Sequence, residues 1–174
     1  INDRPSAFRY PRGEGVGVRI NDNPEIWKIG KGKIITEGNK ICILSLGTRL
    51  KDSIKASEVL ASYGLPTTVA DARFAKPIDQ LLITQLARDH EVFVTVEEGS
   101  IGGFSAQVMS FLAKSGALDK GLKFRPMFFP DKFINHGKPD QQNIECAIDT
   151  DSIIKTALGA LGIAYPRKIS LERA

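Results

Sequence analysis

The sequence predicts an α/β fold, a three-layer sandwich in which helices cover both faces of a sheet. Short apolar segments typical of buried strands alternate strictly with amphipathic segments typical of helices. This alternation requires crossover connections, which produce parallel strand pairing. The chain of 174 residues is also long enough to bury one substantial core.

Apolar periodicity places the individual elements. The continuous apolar run at 41–46 ends at Gly47 and is typical of a strand covered on both faces. Further apolar runs predict three more strands, at 67–70, 91–96 and 122–129. Helical spacing predicts four helices: one that Thr48 caps and Gly64 ends, one at 80–89 that Asp79 caps, and two more at 102–114 and 152–161.

Composition and charge disfavour several classes of protein. The 24 basic and 20 acidic residues give a net charge of +4, and the basic side chains are spread along the chain, which argues against nucleic-acid binding. We interpret the local cluster of Lys28, Lys31 and Lys33 as a solvated edge strand rather than a phosphate-binding patch. Two cysteines and two histidines provide neither a disulfide framework nor a metal cluster, and no run of 18 apolar residues predicts a membrane span. We expect a cytoplasmic protein without membrane contact.

The first of three polar motifs lies in the irregular segment 1–23, which opens on Ile1 and which we expect to continue a longer chain. Pro11 stiffens this motif, so Arg9 and Arg12 are held on an extended backbone. A planar guanidinium is a natural partner of a phosphate group. Taken alone, the motif also fits a linker with surface arginines.

The second motif, 71–79, follows the predicted strand 67–70, at the sheet edge where ligands bind in open α/β folds. It fits a ligand site, and it also fits a charged loop. In the loop interpretation Asp71 pairs with Arg73, and Pro77 starts the next helix.

The third motif, 97–104, joins a predicted strand to a predicted helix. Glu97 and Glu98 fit acid–base chemistry, but they point to opposite faces if the strand continues. Gly102 and Gly103 either allow close helix packing or free backbone amides to bind an anion. We interpret His136, in the loop before residue 138, as a turn residue.

Together these stretches carry a resemblance that none carries alone. The chain resembles the 1-deoxy-D-xylulose-5-phosphate synthase family of the transketolase superfamily, in its last third. The resemblance rests on five segments that occur in the family's order and at nearly its spacing: Arg9-Tyr-Pro-Arg-Gly-Glu-Gly15, Ile29-Gly-Lys-Gly32, Asp71-Ala-Arg-Phe-Ala-Lys-Pro77, Val94-Thr-Val-Glu-Glu-Gly-Ser-Ile-Gly-Gly-Phe104 and Pro130-Asp-Lys-Phe-Ile-Asn-His-Gly137.

The resemblance implies a domain organisation. Residues 1–23 would be the tail of a pyrimidine-binding domain, and 24–174 would form a transketolase C-terminal domain. That domain would contain five mostly parallel strands with one antiparallel edge strand, for which 26–36 is the candidate. The rest of the enzyme, its N-terminal and middle domains, would lie outside this sequence.

The resemblance also implies a function. The family condenses pyruvate with D-glyceraldehyde 3-phosphate, using thiamine diphosphate and Mg²⁺, in the non-mevalonate isoprenoid pathway, and it is a homodimer. Arg12 would hold the substrate phosphate, with Arg9 and Tyr10 in support. The family's metal-binding motif and its cofactor-activating Glu have no counterpart here. We therefore expect no catalytic residue in this chain, no bound cofactor or metal, and no activity by itself.

An alternative from another class remains open. The chain could be a free-standing interaction or dimerisation module descended from a transketolase C-terminal domain. The retained Arg9-Tyr-Pro-Arg12 segment argues against it, because a detached module has no need of a neighbouring domain's phosphate site. For Asp71, Glu97, Glu98 and His136 the resemblance favours architecture and domain contacts over chemistry.

Overall fold

A computed structural model describes residues 3–5, 10, 17 and 22–165. Five strands form one sheet: β1 Lys33–Thr36, β2 Ile41–Ser45, β3 Thr67–Asp71, β4 Val92–Ser100 and β5 Lys123–Phe129. Five α-helices accompany it: α1 Leu50–Ser62, α2 Gln80–Asp89, α3 Phe104–Lys114, α4 Pro139–Glu145 and α5 Thr150–Ala160. Short 3₁₀ turns at Gly47–Arg49 and Ala117–Lys120 precede α1 and β5.

The sheet confirms the predicted fold class. Its strand order is β1-β3-β2-β4-β5, in which β2 to β5 are parallel and β1 runs antiparallel to β3 at one edge. The antiparallel edge strand is shorter than the predicted 26–36. Lys33 already pairs with Asp71, the last residue of β3, so the residues before Lys33 have no β3 partner.

The core lies on both faces of the sheet. Alternate residues of β2 and β4 pack against different helices, because successive strand side chains point to opposite faces. On one face the buried side chains of β2 and β4 contact α1 and α5, and on the other they contact α2 and α3. This two-sided burial accounts for the continuous apolar runs that predicted these strands.

The starts of the helices test the predicted caps. Asp79 caps α2 as predicted, because its Oδ1 accepts a hydrogen bond from the backbone N–H of Leu82 at 3.2 Å. The cap predicted at Thr48 is wrong: Thr48 lies inside the 3₁₀ turn, and no side chain caps α1. α3 begins two residues after the predicted start at 102, because β4 extends to Ser100. α5 begins two residues early because the Asp149 side chain caps it.

None of the helices in the described part of the chain is both long and apolar enough to cross a lipid bilayer. The predicted lysine cluster lies on the surface, where Lys31 contacts Asp79 at 3.3 Å and Lys33 contacts Glu25 at 3.8 Å. Of its three lysines, only Lys33 belongs to the edge strand, so the edge-strand interpretation holds in part.

Both cysteines are buried, and we expect neither to react with Ellman's reagent in the native protein. Cys42 is fully buried between β2 and α2, and this burial raises the pKa of its thiol well above the ordinary value. Cys146 is buried on the opposite face, so the two thiols cannot form a disulfide. Denaturant should expose both thiols. A thiol that reacts rapidly before unfolding would contradict the burial.

Candidate functional site at the carboxyl edge of the sheet

The carboxyl ends of β2, β3, β4 and β5 meet at one edge of the sheet, because these strands are parallel. β2 leads to α1 on one face, whereas its neighbour β4 leads to α3 on the other. Connections that diverge in this way open the crevice in which ligands bind in α/β folds. The predicted motifs 71–79 and 97–104 both lie at this edge.

Arg49 fills the point of divergence between β2 and β4. Its side chain lies among three elements, and the residue is only 7% exposed. Its Nη1 contacts Asp52 Oδ2 at 2.8 Å, and its Nη2 contacts Glu98 Oε1 at 2.9 Å. The other carboxylate oxygen of Asp52 accepts a hydrogen bond from Thr150 Oγ1 at 2.8 Å. Because both carboxylates bind the Arg49 guanidinium, the cluster connects α1, β4 and α5 and does not form a ligand site.

Glu97 lies on the opposite face of β4 from Glu98, as the strand alternation predicts. It is 4% exposed, and its two carboxylate oxygens accept hydrogen bonds from the backbone N–H groups of Phe104 at 2.9 Å and Ser105 at 2.7 Å. The N-terminus of α3 therefore binds an anion, and that anion is a side chain of the same chain. This engagement favours a structural role over acid–base chemistry.

Glycines on both sides leave room for the Glu97 carboxylate. A Cβ atom at Gly103 would lie 2.6 Å from Glu97 Oε2, and one at Gly99 would be closer still. The sequence allows two roles for Gly103, close helix packing and the release of backbone amides to bind an anion. The structure combines them, because the glycine admits the carboxylate that caps α3.

Asp71 and Arg73 adopt the charged-loop arrangement in part. Asp71 Oδ1 accepts a hydrogen bond from the backbone N–H of Arg73 at 3.0 Å, and Arg73 has a left-handed backbone with φ of 58°. Burial raises the pKa of Asp71, an effect that the Arg73 N–H and the Arg73 charge partly offset. Pro77 does not start the following helix, which begins at Gln80 after the Asp79 cap.

The Arg73 guanidinium is the unusual feature of this edge. Its side chain is only 10% exposed, yet its buried Nε has no hydrogen-bond acceptor among the described residues. The nearest carboxylate oxygen, Asp71 Oδ2, lies 3.9 Å from that nitrogen, beyond hydrogen-bond distance. Arg73 Cζ lies 4.6 Å from the centre of the Trp27 ring. The Trp27 and Phe74 rings are arranged edge to face, with 6.4 Å between their centres.

Arg49 and Arg73 thus differ in what their guanidinium groups bind. Arg49 has two carboxylates at hydrogen-bond distance, whereas Arg73 stacks on an aromatic ring that takes none of its N–H donors. A buried cation with unfilled donors is well suited to bind an anion from outside the domain, a phosphate or a carboxylate. The sequence predicts Arg73 only as a partner of Asp71. The structure also places its guanidinium against Trp27, with Nε lacking an acceptor among the described residues.

Of the three residues predicted to bind the substrate phosphate, the structure describes one. Arg9 and Arg12 lie outside the described residues, and Tyr10 is described and exposed. In the described part of the chain no three His, Cys, Asp or Glu side chains come together as a metal site. His136 lies exposed in the loop after β5, as predicted for a turn residue.

The family description "Transketolase, C-terminal domain" matches residues 30–153, well over half of the chain. The chain belongs to the transketolase C-terminal domain family. The match begins after the predicted boundary between residues 23 and 24, and that boundary stays a prediction.

Among solved structures, one described as "Split gene transketolase, inactive beta4 tetramer" resembles this transketolase C-terminal domain with a TM-score of 0.71. The two sequences are 24% identical, and the alignment covers 80% of this chain and 45% of the other. At this identity the likeness establishes the fold alone. This domain spans less than half the length of the transketolase it matches.

Proposed function

We propose that this chain is the C-terminal domain of a 1-deoxy-D-xylulose-5-phosphate synthase, a transketolase-type transferase. The complete enzyme condenses pyruvate with D-glyceraldehyde 3-phosphate in isoprenoid biosynthesis. Membership of the transketolase C-terminal domain family supports the superfamily. The order and spacing of the five quoted segments, from Arg9-Tyr-Pro-Arg12 to the loop before Gly137, support the synthase itself.

In this proposal other domains of the enzyme hold thiamine diphosphate and Mg²⁺. Among the described residues, no three His, Cys, Asp or Glu side chains come together as a metal site. We propose that this chain alone binds neither cofactor nor metal and is inactive, and that the complete enzyme is a homodimer. The similar solved structure is described as an inactive beta4 tetramer, which is compatible with assembly in the absence of activity.

The observation that carries the proposal is the Arg73 guanidinium at the carboxyl edge of the sheet: its side chain is nine-tenths buried, and its buried Nε has no hydrogen-bond acceptor among the described residues. A phosphate offers the negative charge and the several acceptor oxygens that such a group requires. We propose that Arg73 and Arg12 together bind the phosphate of D-glyceraldehyde 3-phosphate. Arg9 and Tyr10 support Arg12 in this role.

Kinetics of the complete enzyme on two aldehydes test this role. Arg12→Ala and Arg73→Ala should each lower kcat/KM for D-glyceraldehyde 3-phosphate by roughly ten- to a hundredfold, because each removes a charge-assisted hydrogen bond worth about 1.5–3 kcal/mol. Lysine at either position should recover only part of this loss, since a point charge cannot reproduce the guanidinium fork. With unphosphorylated glyceraldehyde, the kcat/KM of these variants should be almost the same as that of the wild type.

A matched control is Arg88→Ala, which removes an exposed arginine paired with its neighbour Asp89, near the amino edge of the sheet. This variant should leave both aldehydes unaffected. An equal loss on both aldehydes in the Arg12 and Arg73 variants would show that the two arginines support the fold or the domain junction rather than the phosphate.

A second candidate is the free-standing interaction or dimerisation module. The similar structure favours keeping this candidate, since it is described as a split-gene transketolase in an inactive tetramer. The intact mass of the native gene product separates the two proposals. A mass several times that of this chain supports the synthase, and a mass equal to that of this chain supports the module.

A further inference from the structure

We propose that Trp27 is a positioning residue that holds the Arg73 guanidinium with its N–H donors directed at the substrate phosphate. This inference rests on the proposed function, in which Arg73 binds that phosphate. Trp27 belongs to none of the five segments that carry the family resemblance. Its role is inferred from its contact with Arg73.

The contact has a chemistry suited to that purpose. Arg73 Cζ lies 4.6 Å from the centre of the Trp27 ring, within the range of a cation–π interaction. An aromatic face attracts the flat face of the guanidinium. The five N–H groups point outward within the guanidinium plane, so the stacked ring accepts no hydrogen bond from them. A carboxylate in the same place would orient the arginine but would also neutralise it, as Asp52 and Glu98 do for Arg49.

The surrounding residues hold both partners in place. Phe74 contacts the Trp27 ring edge to face at 6.4 Å, so consecutive residues of one loop contact the indole. The Asp71 carboxylate binds the backbone N–H of Arg73 at 3.0 Å and thereby secures the base of that side chain. Without the ring, a long arginine side chain would regain rotamer freedom, which must be lost again on every binding event.

Trp27 is itself half exposed, at 52%, so its replacement should not open the core. This exposure allows a direct kinetic test in the complete enzyme. Trp27→Leu keeps an apolar side chain but removes the aromatic face. Trp27→Phe keeps a face. If Trp27 contributes only packing, the two variants should have similar KM values for D-glyceraldehyde 3-phosphate. If Trp27 positions Arg73, Trp27→Phe should restore a KM close to that of the wild type, and Trp27→Leu should not.

We expect Trp27→Leu to raise KM for D-glyceraldehyde 3-phosphate about fivefold with kcat nearly unchanged, which is the size of a partly exposed cation–π contact. Trp27→Phe should restore most of the affinity. Unphosphorylated glyceraldehyde should not distinguish the variants. The control Tyr63→Leu, which removes an aromatic ring of similar exposure (48%) at the end of α1, should match the wild type.

A second readout does not depend on activity. Trp27 is the single tryptophan of this 174-residue chain, so its fluorescence reports the environment of Arg73 directly. Titration with inorganic phosphate, compared with chloride at equal ionic strength, should give a saturable change in emission. Arg73→Ala should abolish that change. A phosphate response that survives Arg73→Ala would overturn the inference, and so would a response no different from that to chloride.

The kinetic outcomes separate this inference from the proposed function. If Arg73→Ala shows no selectivity between the two aldehydes, the proposed phosphate role fails. If Arg73→Ala is selective while Trp27→Leu behaves as the wild type, or if Trp27→Leu affects both aldehydes equally, only the positioning role of Trp27 is overturned.

Discussion

Replacing Arg49 by alanine is expected to lower the free energy of unfolding of this chain by about 2–3 kcal/mol. The guanidinium is almost fully buried and lies between Asp52 and Glu98 at 2.8 and 2.9 Å. Its removal leaves two neighbouring carboxylates without a counter-charge, and one of them also accepts the Thr150 hydroxyl. Chemical denaturation followed by circular dichroism measures the loss.

The loss of stability in Arg49→Ala should come both from the two carboxylates that lose their partner and from lost packing. Arg49→Met combined with Asp52→Asn and Glu98→Gln should therefore be more stable than Arg49→Met alone. Arg88→Ala is the matched control, because Arg88 pairs with Asp89 on the exposed surface and should matter little. A loss for Arg49→Ala as small as that for Arg88→Ala would show that the cluster does not tie the elements together.

The sequence predicted the fold well where a single local feature decides the structure. The continuous apolar run of β2 identifies a strand buried on both faces, and Asp79 identifies the start of α2. The prediction fails where the decision is made by a distant segment. The length of β1, for example, is set by the end of β3 at Asp71, a residue far along the chain.

The candidate site was less predictable for the same reason. Glu97 and Glu98 suggest a carboxylate pair, but the strand separates them, and they bind partners in α3 and at Arg49. The contact of Arg73 with Trp27 involves a segment that precedes the whole sheet, and the absence of an acceptor for its Nε among the described residues depends on the tertiary structure. Local sequence identifies which charged residues reach the carboxyl edge. It does not identify which of them lack a hydrogen-bond acceptor among the described residues.

Replacing Glu97 by alanine is expected to lower the free energy of unfolding by about 3 kcal/mol. The carboxylate is 4% exposed and accepts hydrogen bonds from the N–H groups of Phe104 and Ser105, so its loss leaves two buried donors unsatisfied at the start of α3. Gly103→Ala should cost about 1–3 kcal/mol by a different route, because the new Cβ would lie 2.6 Å from Glu97 Oε2 and would displace the cap.

These two effects should not add, because both substitutions disable one interaction. In the double variant Glu97→Ala with Gly103→Ala, the second substitution should cost at least about 1 kcal/mol less than it does alone. Glu58→Ala, on the exposed face of α1, and Gly137→Ala, where the nearest atom lies 3.6 Å from the added Cβ, are the matched controls and should have small effects. Strict additivity in the denaturation energies would mean that Gly103 is required for its backbone conformation at the helix start, and not to admit the carboxylate of Glu97.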